Sequence, residues 1–395
     1  MLSFLLALAC SASTPATFQE GATPATPVTE ADAAAERFVA FAEAVEATIA
    51  EGDPSFMASH FDVGGLVAIM DAGLDAPADY REPFTEGLGS NFDLAAQIVG
   101  ANAQFDGTYR FLRLMSGEPT RALFRLESNN GLNYHELHLV ADAESVRIVD
   151  AFVYVSGESL STTFKRGYVA GLVQYDPSLA DTLPPTQKNY LSTLGALQRI
   201  KSVLASDPAA ALAMWSELDA SVKFLPEFLG ARIAAASNVG EKEYLAALRD
   251  LREHYPDSPS MNLMMIDAYL LRGEFDQSLK CVDALDEQVG GDPYLELIRA
   301  NIHLADGKFE RAEKKVRRAI ELDPLLDYLA QWKLIEIGLT ADLHELTFEG
   351  LSSLETDYGI EWIDLRTAAG YESFVASEPG RRWIERWLAA NGGGR

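Results

Sequence analysis

PSMNLMMIDAYLLRGEFDQSLKCVDALDEQVGGD, residues 259–292, is followed at once by PYLELIRANIHLADGKFERAEKKVRRAIELDP, residues 293–324, and the two align without a gap. Pro259 falls on Pro293, Gly273 on Gly307 and Phe275 on Phe309, each 34 residues apart. A unit repeated at such a period cannot bury its apolar face alone, so copies stack and share a core. Each copy reads as two helices broken by a tight turn. Gly273 and Gly307 stand where the chain leaves the first helix, the position at which positive φ is easiest without a Cβ. Pro259 and Pro293 suit the first turn of a helix, where no amide donor is missed. Ala312 and Ala319 let the paired helices approach, and Phe275 and Phe309 fill the space beside the turn.

The second copy carries Gly307-Lys308-Phe309 at the turn, then Ala312, Ala319 and Leu322-Asp323-Pro324 at the exit. The first keeps Ala268-Tyr269 and Gly273-Glu274-Phe275, with Ser278, Leu285 and Gly290 at the places of the two alanines and the closing proline. This pattern resembles the tetratricopeptide repeat (TPR) family. The resemblance implies an α-solenoid that binds other proteins, the first helix of each pair lining a groove. Matching positions give Leu263, Asp267 and Leu270 from one copy, and Leu297, Asn301 and Leu304 from the next, as the expected partner-binding residues. Repeats that clamp a C-terminal carboxylate use Lys and Asn there. Only Asn301 fits that scheme, and Leu263 and Leu297 stand where a cation is needed. An apolar strip edged by Asp267 suits an amphipathic helix or an extended segment of a partner instead. Packing between repeats is the competing reading for Leu270 and Leu304.

Outward from these copies only helices are expected over 185–391, pairing as 186–204 with 207–220, 224–238 with 241–254, and 325–339 with 342–356. The stretch 360–390 holds Trp362, Trp383 and Trp387 and suits a C-terminal cap over the last exposed core. Asp176-Pro177 and Leu183-Pro184-Pro185 mark the boundary with what precedes.

Before that boundary the period changes. Thr29 with Asp32 opens a helix in the manner of a capping box, and Phe38, Phe41, Val45 and Ile49 recur at helical spacing to about Ala50. Shorter helices are expected at 62–73 and 91–104, with an irregular piece between. Four strands follow, Tyr109 to Met115, Arg121 to Ser128, Leu132 to Ala141 and Val146 to Ser156, with Asn130-Gly131 the strongest hairpin signal. In the second strand Ala122, Phe124 and Leu126 form a buried face and Arg121, Arg125 and Glu127 a wet one. In the fourth, Val146, Ile148, Phe152 and Tyr154 fall on one face and Val149, Ala151, Val153 and Val155 on the other, so both faces should be covered. The solenoid, a second copy of the protein in a homodimer through the sheet, or the helix after Gly157 are the candidate covers. Helices ahead of a curved antiparallel meander over 30–178 resemble the cone-shaped α+β fold of the nuclear transport factor and ketosteroid isomerase family. The expected whole is therefore mostly helical, an α+β cone-like domain followed by an all-α TPR-like solenoid.

The formal net charge of -27, from 59 acidic against 32 basic residues, repels phosphate backbones and excludes nucleic acid as the expected partner. Residues 1–9, MLSFLLALA, are too short to span a bilayer. Ending in Ala7-Leu8-Ala9-Cys10, they resemble the bacterial lipobox, which implies export, cleavage before Cys10 and a lipid anchor on its thiol. No Lys or Arg precedes the run, and an ordinary cleaved signal peptide or an uncleaved tail are the alternatives. Ser11 implies the outer membrane of a cell envelope, the body facing the periplasm. Residues 10–29 are rich in Thr, Pro and Ala and read as a tether.

Reactive chemistry finds little support in the residues. His135-Glu136-Leu137-His138 invites a metal, but on a strand the two histidines point to opposite faces, and the spacing misses the helical zinc motif. A pocket in the cone would offer Tyr109, Tyr134, His138, Asp150 and Tyr154, with Asp150 as a carboxylate beside tyrosines. No phosphate loop and no nucleophile constellation is present. The expectation is a scaffold without catalytic residues, metal or cofactor, against the alternative of a small-molecule binder or enzyme in the cone domain. Lys308, Arg311, Lys314, Lys315, Arg317 and Arg318 form the one basic cluster, with Glu310 and Glu313 interleaved for i,i+4 pairing.

Overall fold

The computed structural model describes residues 30–391 apart from 129, 130, 143, 144, 182, 184 and 259. The expected signal peptide, Cys10, the tether, Pro259 and Asn130 lie outside the described residues. Two compact units are present, one reaching to Ala268 and the other beginning at Tyr269.

In the first unit α1 (Glu30–Ala50) turns Phe38, Phe41, Ala42, Val45 and Ile49 inward, one stripe of a 3.6-residue period. Short helices α2 (Ser55–Ser59) and α3 (Val63–Asp71) follow, then α4 (Ala78–Asn91) and α5 (Leu94–Phe105). Asp62 and Asp93 cap α3 and α5, their Oδ1 atoms accepting from Gly65 N at 2.7 Å and Ala96 N at 2.9 Å. The α4 helix stands where an irregular piece is expected. It contains Pro83, buries no residue completely and so has no apolar stripe to be read. Two half-buried rings hold it: the Tyr80 hydroxyl donates to Tyr168 O at 2.6 Å, and Phe84 meets the Tyr168 ring edge-on at 4.9 Å.

The sheet is an antiparallel meander in the order β1 (Thr108–Met115), β2 (Thr120–Ser128), β3 (Gly131–Ala141), β4 (Val146–Val153) and β5 (Glu158–Ser159). Ala122 lies opposite Leu137, which lies opposite Ala151, and this face packs with Phe124, Leu139 and Ile148 on the apolar stripe of α1. The fourth strand departs from simple alternation. His138 pairs with Asp150 but Leu139 pairs with Ile148, so Val149 is an extra residue, a β-bulge. The bulge returns Ile148 and Ala151 to the same core and leaves Asp150 and Phe152 on the second face, where strict alternation puts Ile148 with Phe152.

That second face is not wet. Arg125 is 1% exposed and Glu127 7%. Their burial is compensated by pairing, Arg125 Nε lying 2.8 Å from Glu127 Oε2. Leu123, Tyr134 and Tyr154 are buried beside them. Part of the cover is α6 (Leu160–Tyr175), the helix after Gly157, which packs on β4.

The first unit continues through the expected boundary. A 3₁₀ turn at Pro177–Asp181 leads to α7 (Pro185–Leu204), α8 (Pro208–Ser216), α9 (Ala220–Lys223), α10 (Pro226–Val239) and α11 (Glu241–His254). Arg166 of α6 pairs with both Glu158 of β5 and Glu227 of α10, tying these helices to the edge of the sheet.

Helix α12 (Met261–Leu271) carries the division between the units. The second unit holds α13 (Phe275–Gln288), α14 (Tyr294–Ala305), α15 (Phe309–Leu322), α16 (Asp327–Thr340), α17 (His344–Tyr358), α18 (Glu372–Ala376) and α19 (Glu378–Asn391). One core joins α14, α15 and α16 through Ala300, Ala312, Val316, Ala319, Ala330 and Leu334. A second forms around Trp383, which is 0% exposed among Ile335, Leu351, Leu354 and Phe374. Trp387 Nε1 donates to Trp362 O at 2.7 Å and Trp362 Nε1 to Leu351 O at 3.2 Å, closing the C-terminal helix over this core. The described residues are thus mostly helical, with one five-stranded antiparallel sheet among them.

Candidate functional site

The 34-residue spacing reappears as matched backbone. Gly273 and Gly307 both take φ of 69°. Gly273 N donates to Leu270 O at 3.0 Å and Glu274 N to Tyr269 O at 2.8 Å; Gly307 N donates to Leu304 O at 3.0 Å and Lys308 N to His303 O at 2.8 Å. These paired bonds, spanning three and five residues, are the Schellman ending of a helix, in which a left-handed residue satisfies carbonyls left over at the last turn. The turn between α16 and α17 closes in the same way, with Leu343 N on Gly338 O at 2.9 Å, but places Asp342 in the left-handed region at φ of 53°. Ser278, Ala312 and Thr347 follow their turns at matching places, each 0% exposed, and in the last two cases the paired helices, α14 with α15 and α16 with α17, pack on each other.

The hairpins of the second unit are locked by charge as well as by packing. Arg299 of α14 donates through Nε and Nη2 to Asp283 Oδ1 at 3.0 and 2.8 Å, through Nη2 to Asp286 Oδ2 at 2.9 Å, and through Nη1 to Glu296 Oε1 at 2.9 Å. Glu296 also takes Lys315 of α15 at 2.8 Å, so one network spans three helices. The basic row of α15 is largely paired within the unit. Lys308 meets Asp306, Arg317 meets Glu313 and Glu349, and Arg318 meets Glu321.

The six expected groove residues are divided between the two units. Leu263, half-buried, and Asp267, exposed, belong to the unit ending at Ala268, whereas Leu270, Leu297, Asn301 and Leu304 belong to the other. Leu297 is 5% exposed inside the core with Ala300, Ala312 and Val316, and Leu304 packs against that core. On α14 Asn301 keeps solvent contact, as do Tyr294, Glu296, Ile298, Leu304 and Ala305. Sequence reasoning did not single out an exposed apolar stripe that starts in the turn Pro324–Leu326 and runs along the first turns of α16. Leu325, Tyr328, Leu329 and Trp332 recur at i, i+3, i+4 and i+7 beside the inward stripe of Leu326, Ala330, Leu334 and Ile337. A helix with two adjacent apolar stripes was the available signal.

The polar residues of the sheet are divided between its faces. Tyr109 stacks on Phe124 at 4.7 Å in the α1 core, and Tyr134, His138, Asp150 and Tyr154 lie on the other side. Asp150 is fully engaged: Oδ1 accepts from Ala151 N at 2.8 Å and Ser161 N at 3.0 Å, and Oδ2 from Ser161 Oγ at 2.5 Å. It fastens the start of α6 to β4. Glu136 accepts from Arg121 Nη1 and from the Tyr154 hydroxyl, both at 2.7 Å. Burial lowers the His138 pKa, and the Asp150 and Glu136 carboxylates beside it oppose that shift. Acceptors occupied in this way make a latch between strand and helix. A cleft of about 540 Å³ elsewhere in this unit is lined by Val67, Asp71, Asp75, Arg81 and Glu86 of α3, α4 and the loop between them.

His135 faces the other way, as strand geometry requires. Its ring is buried, 3.3 Å from the Tyr109 hydroxyl through Nδ1 and 3.1 Å from Asn133 Nδ2 through Nε2. Asn133 Oδ1 already accepts from Tyr134 N and Val155 N, so Nδ2 is the atom that donates to Nε2, and the imidazole is neutral with its proton on Nδ1. Burial pushes the pKa down to about 4. A histidine depressed in the folded state favours folding above its unfolded pKa near 6.5, and that contribution is lost as pH falls towards 4, in all about 3 kcal/mol. His135→Gln should therefore cost more stability at about pH 7 than at about pH 4.5, by about 2 kcal/mol in denaturant titrations. An equal cost at both pH values would contradict this.

Among the described residues no group of His, Cys, Asp or Glu could hold a metal ion, and no helix is long and apolar enough to cross a membrane. No family model matches the chain, and comparison with curated proteins and with solved structures found no match.

Proposed function

We propose that this chain is an exported scaffold of the cell envelope, anchored by a lipid on Cys10, whose tetratricopeptide-like hairpins form a solenoid that holds a protein partner. The observation that carries the reading is the repeated hairpin: two copies 34 residues apart with the same turn conformation at Gly273 and Gly307. Hairpins of this kind stack into extended surfaces, and such surfaces serve recognition more often than reaction. The sheet-bearing unit is read as a cone-like support, since Asp150 and Glu136 have their oxygens engaged by neighbouring side chains and backbone. Charge agrees with a protein ligand, because a net charge of -27 disfavours nucleic acid and anionic lipid as binding surfaces. Membrane attachment is assigned to the lipid and not to the folded body.

Photo-crosslinking in the native membrane fraction tests the proposal. A photoreactive residue at Asn301 or Glu336, on first helices, is expected to capture one and the same protein. The same probe at Glu310 or Glu321 of the second helix α15 is expected to capture none.

A further inference from the structure

Leu325 is 75% exposed, and Tyr328, Leu329 and the half-buried Trp332 continue its stripe along α16. The rings extend past the helix. Tyr358 lies 5.1 Å from Tyr328 and Trp362 lies 5.4 Å from Trp332, and Ile363 beyond it is 60% exposed. One core of this unit takes Leu326 and, from α16, Ala330, Leu334 and Ile337, and Trp332 and Trp362 rest on the other core, around Trp383, whereas Leu325, Tyr328 and Leu329 belong to neither. Contiguous exposed aromatic and aliphatic surface of this kind marks a contact site, and Tyr and Trp are the side chains that carry most binding energy in such sites.

The rim is acidic. Asp327 accepts from the Tyr358 hydroxyl, Asp357 and Glu361 are the sequence neighbours of Tyr358 and Trp362, and among the described residues no ion pair reaches Asp327 or Asp357. Neutral donors hold these carboxylates in position. Asp327 accepts from the Tyr358 hydroxyl at 2.8 Å and from Gln331 Nε2 at 2.9 Å, and Asp357 accepts from Ser353 Oγ at 2.7 Å and Thr356 Oγ1 at 3.0 Å. The cations of the same segments are engaged elsewhere, Lys333 with Glu336 and Arg366 with Asp364. A carboxylate positioned without being neutralised keeps its charge for a ligand.

We infer that the strip formed by Leu325, Tyr328, Leu329, Trp332, Tyr358 and Ile363 is the seat of a cationic amphipathic segment of the partner protein. Its apolar side chains lie over the rings, and its Lys or Arg residues meet Asp327, Asp357 and Glu361. The inference rests on the proposed scaffold reading and gives it a location and a ligand chemistry. A second copy of the chain is disfavoured as the occupant, because it would bring an identical acidic rim against this one. An anionic bilayer is disfavoured on the same ground.

The test uses the full chain with two labelled synthetic helices of about 18 residues, one of Leu and Lys and one of Leu and Glu in the same pattern. Saturable binding of the Leu/Lys helix alone is expected, weakened about tenfold or more by Tyr328→Ser with Leu329→Ser and again by about 0.5 M salt. Absence of binding, equal binding of both helices, unchanged binding by the variant, or variant-sensitive binding to phosphatidylglycerol vesicles instead of the peptide would each overturn it. The same variant separates the two claims in the membrane fraction. If it still captures the partner through Asn301, the α16 seat is wrong and the scaffold reading stands; if the wild type captures nothing, the scaffold reading fails itself.

Discussion

Gly338→Ala is expected to destabilise the Tyr269–Arg395 unit by about 3 kcal/mol, although alanine is the better helix former by about 1 kcal/mol. A Cβ built at Gly338 on α16 would stand 2.4 Å from Thr347 Oγ1, 2.7 Å from Thr347 N and 3.1 Å from Leu343 O. The hydroxyl could turn away, but the amide nitrogen and the carbonyl belong to the backbone at the start of α17 and can yield only if the two helices separate. Thr347 is 0% exposed, so separation also opens the core behind it. Gly87 on α4, in the other unit, is an open helical control followed by far-ultraviolet circular dichroism, since a Cβ there meets nothing within 4 Å. Gly87→Ala should be neutral or stabilising by up to about 1 kcal/mol. Trp332, Trp362, Trp383 and Trp387 all lie in the Tyr269–Arg395 unit, so tryptophan fluorescence in denaturant reports chiefly on it. A Gly338→Ala chain as stable as wild type would refute the close contact of α16 with α17.

Arg299→Met carries the next largest expected effect, a loss of about 3 kcal/mol at neutral pH. The guanidinium side chain is 8% exposed, and its three acidic partners are not equally buried: Glu296 is 12% exposed, Asp286 27% and Asp283 67%. Most of the cost should come from Glu296 and Asp286. Without Arg299 they are left partly desolvated and facing each other in an already acidic protein. Asp286 also accepts from Asp292 N at 2.8 Å, so the loss reaches the loop between α13 and α14. Arg299→Lys keeps the charge but cannot fork to several carboxylates, and should recover about half of the stability. A methionine variant equal to wild type would mean that the network contributes nothing to the fold.

The repeat was legible because its signal is chemical and local. Gly273 and Gly307 answer a backbone demand for positive φ, and the observed turns meet it at both places. Four of the five strands and most helices were visible for the same reason, through period and turn residues. What stayed hidden depended on partners far away in sequence. Arg125 and Glu127 read as a wet face because alternation cannot show that each neutralises the other in the interior. The bulge at Val149 shifted the second half of β4, and a one-residue slip moves every later side chain to the other face. Helix α4 lacks a stripe, because half-buried tyrosine and phenylalanine rings anchor it in place of a run of aliphatic residues.

The candidate surface was half legible. The repeat pattern put Asn301 at the surface, where it keeps solvent contact, but Leu297, one residue before Ile298, turns 100° around the helix into the core. The stripe of Tyr328, Leu329 and Trp332 was not singled out, because helical spacing alone does not separate it from the neighbouring stripe of Ala330, Leu334 and Ile337 that faces the core.

Site-specific photo-crosslinking along the repeat helices tests the central claim most directly. With the photoreactive residue at Asn301, Tyr328 or Glu336, one protein should be captured in the membrane fraction, and with it at Glu310 or Glu321 there should be none. Capture of nothing from the first-helix positions, or of the same set of proteins from all five, would contradict a scaffold that works through its repeats.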